Sequence, residues 1–130
     1  MNHADLVHNL KCSPGWAGAT ISTDTDTDSA LVIDSQGYNA VAFAVHSGTR
    51  TDGSYVLKIM ESDNSNGSSA SEVGSYQVQD TMTASNSVGK VGAVLSKRYF
   101  LLRITSTSTT SGCVFKGAVV LMSPVVSPVA

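Results

Sequence analysis

Residues 34–63 hold the pattern that most restricts the fold. Val41, Phe43 and Val45 alternate with Ala40, Ala42, Ala44 and His46, the period-two repeat of a strand with one strongly apolar face. Residues 47–54 are polar and carry Gly48, Asp52 and Gly53, which reads as a turn. A second run, YVLKIMES over residues 55–62, follows with Lys58 at an outward position. The expectation is one long hairpin inside an all-β fold, an antiparallel β-sandwich or jelly roll of about eight strands with extended N- and C-terminal arms.

Length and composition agree with that class. A chain of 130 residues is one domain by size and buries enough surface for its own core. Charged residues make up 14%, well below the roughly 25% of ordinary soluble domains. Ser, Thr, Gly and Val take their place and favour strands and turns. A net charge of −2 gives no basic field for nucleic acid and no polybasic membrane patch. A surface short of charge fits a protein that functions assembled with others, and it fits a thermally robust monomer too.

The expected domain plan is an arm over residues 1–16, a sandwich over 17–123 and a tail over 124–130. In the arm, Leu6, Val7 and Leu10 suggest one helical turn with Asp5 near its start, ended by Pro14 and Gly15. Trp16, the only tryptophan, either plugs the sandwich end or meets a neighbouring subunit. Residues 19–23, 30–34 and 73–79 read as short strands, the last near an edge, with a turn at Gln36 and Gly37. Residues 23–29, 62–71 and 81–87 read as polar loops. Gly89 and Gly92 thin the strand over 88–95 and suggest a bulge or a close backbone approach. Two firm strands close the chain. In the first, Phe100, Leu102 and Ile104 share one face and Tyr99, Leu101 and Arg103 the other. In the second, Cys113, Phe115, Val119 and Leu121 fall in one register with Lys116 opposed. Pro124 and Pro128 forbid a central strand beyond them, and the apolar tail is expected to dock on its own domain or a neighbour.

The chemical motifs are weak. Asp24, Asp26 and Asp28 imitate the opening of a calcium loop, but Ser29 and Ser35 stand where an EF-hand needs its glycine and glutamate. His3, His8 and His46 show no metal-ligand spacing, no Gly-x-Ser-x-Gly elbow occurs, and GKVG at 89–92 does not precede a helix. No catalytic residue, cofactor or metal is therefore assigned, and the chain is not expected to be an enzyme. Arg103 is expected to stack on an aromatic or pair with a carboxylate such as Glu61. Cys12 and Cys113 lie near opposite ends of the chain. The opening MNHAD has no basic n-region, so folding in a reducing cytoplasm with free thiols is expected.

Several stretches carry a resemblance: DSQGY at 34–38, GTRTDGSY at 48–55, ESD at 61–63 and SKRYFLLRIT at 96–105. With the opening MNHADL and the proline-punctuated end, the chain resembles small β-sandwich or jelly-roll structural proteins of tailed bacteriophages, those that decorate or cement the capsid. Where that family commonly ends in Gly-His-Pro, this chain has Met122, Ser123 and Pro124, so no histidine role carries over. The resemblance implies a virion location on the capsid surface after synthesis in the host cytoplasm. It implies the major capsid protein as partner, self-association with a trimer preferred, and no direct contact with nucleic acid or membrane. The expected contact residues are Trp16, Arg50, Asp52, Pro124, Val125, Val126 and Val129, with the turn at 48–54 read either as a contact finger or as an ordinary solvated turn. The alternatives are a head–tail connector or tail component and, from another class, a glycan-binding sandwich module; a single tryptophan and four tyrosines offer the latter few stacking platforms.

Overall fold

The computed structural model describes residues 11–35, 38–73, 76–78 and 80–124. The turn at Gln36 and Gly37 and the helical turn of Leu6, Val7 and Leu10 lie outside them, as do His3 and His8.

Twelve strand segments occur among the described residues: β1 (Lys11–Trp16), β2 (Ala19–Ile21), β3 (Asp26–Asp28), β4 (Ile33–Asp34), β5 (Tyr38–Arg50), β6 (Ser54–Ser62), β7 (Ser71–Glu72), β8 (Tyr76–Val78), β9 (Asp80–Met82), β10 (Val88–Val94), β11 (Tyr99–Thr107) and β12 (Cys113–Pro124). They form two antiparallel sheets packed face to face. Sheet I runs β1-β12-β5-β10-β8, with β2 also on β12; sheet II runs β3-β11-β6-β7, with β4 on β11 and β9 on β6. Several segments share one pass of chain, β1 with β2 and β3 with β4, so the twelve described segments make ten passes. Successive passes mostly alternate between sheets, which is the winding of a jelly roll.

That winding corrects the long hairpin. β5 and β6 are not hydrogen-bonded neighbours: β5 sits between β12 and β10 in sheet I, and β6 pairs with β11 in sheet II. Residues 51–53 carry the chain from one sheet to the other. The inward faces of the two strands meet across the core instead of lying side by side. Phe43 of β5 contacts Phe100 of β11 edge to face at 5.7 Å, and Tyr55 of β6 contacts Phe115 of β12 at 5.1 Å. Both aromatic pairs therefore join the sheets, a geometry that adds about 0.5–1.5 kcal/mol each beyond the area they bury.

Three further segments differ from expectation. Lys11–Trp16, read as part of an arm, is the edge strand β1 on β12, with Lys11 opposite Met122 and Trp16 opposite Ala118. The tract at 23–29, read as an exposed loop, contains β3, in which Asp28 lies opposite Arg103. Gly89 marks no bulge, since β10 keeps unbroken register with β5 from Val88 to Val94. A Cβ on Gly89 would stand 2.7 Å from Met82 and 2.8 Å from Leu57, so the glycine admits a close approach of sheet II side chains.

The largest correction concerns β12. Its pairing with β5 shifts between Phe115, opposite Ser47, and Gly117, opposite His46, leaving Lys116 as an extra residue. A one-residue slip exchanges the two faces of a strand. Cys113 and Phe115 point into the core before the bulge, and Ala118, Val120 and Met122 do so after it. Val119 and Leu121, expected in register with Phe115, are turned outward.

Candidate interaction surface

The turn between β5 and β6 is held from within the chain. The Asp52 carboxylate accepts the backbone N–H groups of Thr110 at 3.0 Å, Ser111 at 3.0 Å and Gly112 at 2.9 Å. These three donors, with the Arg50 guanidinium adding a smaller effect, hold its carboxyl below the ordinary range. Arg50 Nε donates to the Gly53 carbonyl at 2.7 Å, and the buried Tyr55 hydroxyl donates to the Asp52 carbonyl at 2.8 Å. Gly112 has φ +96°, and a Cβ there would run into the Ile21 carbonyl, which explains a glycine at this place. Asp52 thus clasps the 108–112 turn, and the residue chosen as the tip of a contact finger is already engaged inside the domain.

The carboxylates of the 23–29 tract diverge. Asp24 accepts the Thr109 N–H at 2.7 Å, Asp26 accepts the Thr105 hydroxyl at 2.7 Å, and Asp28 forms a two-pronged pair with Arg103 at 2.6 and 3.0 Å. Among the described residues no three His, Cys, Asp or Glu side chains are grouped to hold a metal ion. Arg103 does not reach Glu61. That carboxylate is 3% exposed and accepts the Ser96 N–H at 2.9 Å, the Ser96 hydroxyl at 2.8 Å and the Lys97 N–H at 3.3 Å.

Trp16 is 6% exposed, and its indole N–H has no acceptor among the described residues. It stands between two shallow hollows. One, of about 210 Å³, opens beside Ala19, Thr27 and Ala30; the other, of about 310 Å³, lies among Ala44, His46, Gly117 and Val119. Buried to this extent, Trp16 offers no face for a sugar to stack on. Pro124 ends β12 opposite Tyr38, and Val125, Val126 and Val129 lie outside the described residues.

The feature that sequence reading missed is the outer face of sheet I. Two rows of facing residues cross it: Pro14, Val119, Ala44 and Lys90, then Cys12, Leu121, Ala42 and Gly92. Ala40 and Val94 extend it at one end and His46 and Val88 at the other. Val119 is 47% exposed and Val94 38%. Apart from Lys90, His46 and Lys116, which lines the second hollow, the face is small and apolar, and the outward positions of these four strands hold no carboxylate. The outer side of sheet II is the opposite case. Arg103 pairs with Asp28 there, Arg98 pairs with Asp34 at 2.8 Å, and the loop at Gly67 closes over Val32 and Leu101. Exposed contiguous apolar surface of this kind marks sites of association, and the fold confines it to one side of the molecule.

No protein-family model matches the chain, and no curated protein matches it in sequence.

Proposed function

We propose that this chain is a virion structural protein of a tailed bacteriophage, a decoration or cement protein that stabilises the head by bridging capsomers. The observation that carries the reading is the contrast between the two outer faces. Sheet II is closed by its own ion pairs and loop, whereas sheet I presents Val119, Leu121, Ala42, Ala44 and Val94 without cover from the described residues. A rigid sandwich with one adhesive side adds contact area to a shell and has no turnover to perform. The family resemblance of the motifs at 34–38, 48–55 and 96–105 supports the same reading, with the major capsid protein as partner.

Adding the purified chain to undecorated shells of its capsid protein tests this, with particle imaging as readout. Density repeating over the whole lattice is the expected result. Density confined to a single vertex would favour a connector instead, and absence from the particle would end the structural role.

A further inference from the structure

Asn66 stands exposed in the loop that closes over sheet II, and it is the only asparagine in the chain that a glycine follows. We infer that the Asn66–Gly67 peptide is a self-modification site, at which the asparagine converts to isoaspartate and the loop is loosened from the sheet. This holds whether or not the chain decorates a capsid.

Asparagine loses its amide nitrogen when the next backbone nitrogen attacks its side-chain carbonyl carbon. A side chain on the following residue obstructs that ring closure. Gly67 has none, and its φ of +78° is one that other residues rarely adopt. The Asn66 carboxamide is also held in place, since its Oδ1 accepts the Ser68 N–H at 3.0 Å. Ser68 is fixed in turn: its carbonyl accepts the Ser62 hydroxyl at 2.6 Å and Asn64 Nδ2 at 3.1 Å. The N–H on Oδ1 keeps the carboxamide against the main chain that follows it. It also stabilises the oxygen as negative charge develops there during the attack. One contact opposes the step. The Gly67 N–H donates to the Asn64 carbonyl at 3.0 Å and must let go first, and a single turn bond in an exposed loop is of the kind that opens in local fluctuation.

In the reaction the Gly67 nitrogen bonds to the Asn66 Cγ and the Cγ–Nδ2 bond breaks. Nδ2 leaves as ammonia with the proton that the Gly67 nitrogen gave up. Water then opens the cyclic imide. Cleavage of the new N–Cγ bond gives ordinary aspartate. Cleavage between that nitrogen and the main-chain carbonyl carbon of residue 66 gives isoaspartate, in which the chain runs through the former side chain.

The other described asparagines are placed differently. Asn64 and Asn86 both precede serines. Nδ2 of Asn64 is engaged on the Ser68 carbonyl, and the Ser87 nitrogen that would attack Asn86 donates to the Ser47 hydroxyl at 3.1 Å. Asn39 lies within β5 before Ala40, which is paired on both sides, with Val94 and Ser123.

Isoaspartate adds one methylene to the main chain where the loop has no slack. A Cβ on Gly67 would already stand 2.9 Å from Val32 and 3.0 Å from Leu101. That fit leaves Leu101 only 3% exposed on the outer side of sheet II. Lengthening the chain at residue 66 lifts Gly67 away from both side chains.

Ageing the native full chain in warm, mildly alkaline buffer made with heavy-oxygen water tests the site. Trypsin digestion in ordinary water follows, with fragmentation of the peptide between Lys58 and Lys90. The expected result is conversion at Asn66 with uptake of heavy oxygen, mostly as isoaspartate, while Asn64 and Asn86 stay intact. Asn66→Gln, whose longer side chain closes the ring far less readily, leaves that peptide unchanged. The aged chain melts below the fresh one, whereas Asn66→Asp, which has the new charge on a normal backbone, melts near it. No conversion at Asn66 in the native chain, or equal conversion at Asn64 and Asn86, overturns the site. An aged, converted chain as stable as the fresh one overturns the loosening of the loop.

Discussion

Asp52 and Gly112 are 60 residues apart in sequence and joined by a 2.9 Å hydrogen bond from the Gly112 N–H to the Asp52 carboxylate. Thr110 and Ser111 donate to the same carboxylate, and the Thr51 N–H returns a bond to the Gly112 carbonyl at 2.9 Å. The crossover from sheet I to sheet II is thereby tied to the turn that leads into β12.

The first prediction is a pH dependence. Folding lowers the Asp52 carboxyl below its ordinary value of 3.8, so the native state binds this proton less readily than the unfolded chain. Its contribution to stability is then complete above the unfolded value and is lost as the pH falls through the folded one. Asp52→Asn should lower the melting temperature by a few degrees at neutral pH. The difference from the parent should shrink as the pH is taken below 3.8, and a gap that stays constant in thermal melts down that series would refute the clasp.

Glu61 should matter far more than the surface ion pairs. Removing its buried carboxylate with Glu61→Ala strands the N–H groups of Ser96 and Lys97 and the Ser96 hydroxyl, at a cost of about 2–3 kcal/mol. Asp28→Asn breaks the half-exposed pair with Arg103 and should cost less than about 1 kcal/mol. Urea denaturation of the two variants checks the order, and equal losses would contradict it.

Phe100 is fully buried and meets Phe43 across the sheets. Phe100→Ala should destabilise by about 3–5 kcal/mol, whereas Phe100→Leu, which keeps most of the volume, should cost clearly less. Chemical denaturation gives both values.

The two cysteines should differ in reactivity. Cys12 is exposed on β1, and Cys113 is 2% exposed with its thiol pKa pushed up by burial. Cys12 faces Leu121, eight positions along β12 from Cys113, which separates them by roughly 27 Å and rules out a bridge within the chain. Maleimide at neutral pH should therefore label one thiol per native chain and two after unfolding. Two native labels would contradict the burial of Cys113.

Much of the fold was legible because strands advertise themselves by a period of two. Val41, Phe43, Val45, Phe100, Leu102 and Ile104 could be placed in the core from alternation alone, and all are buried. Strand partners were less legible, because pairing depends on contacts distant in the chain. A polar stretch between two strands reads as a hairpin whether it turns within one sheet or crosses to the other, and the β5–β6 crossover does the second. The Asp24, Asp26 and Asp28 tract showed its carboxylates but not that Thr109, Thr105 and Arg103 would meet them, with Arg103 reaching Asp26 at 3.9 Å as well as Asp28.

By itself the sequence determined the class of fold, since its alternating apolar residues, scarce charges and frequent turn residues suit sheets facing each other. What only the tertiary structure decided is which residues that arrangement leaves outside. Val119 and Leu121 belong by simple alternation with Phe115 in the core. One extra residue at Lys116, opposite the step from Ser47 to His46, turns them outward and brings Ala118, Val120 and Met122 in. The physical reason is that a bulge is a relation between two strands: alternation within β12 cannot register it, yet it moves every later side chain to the other face.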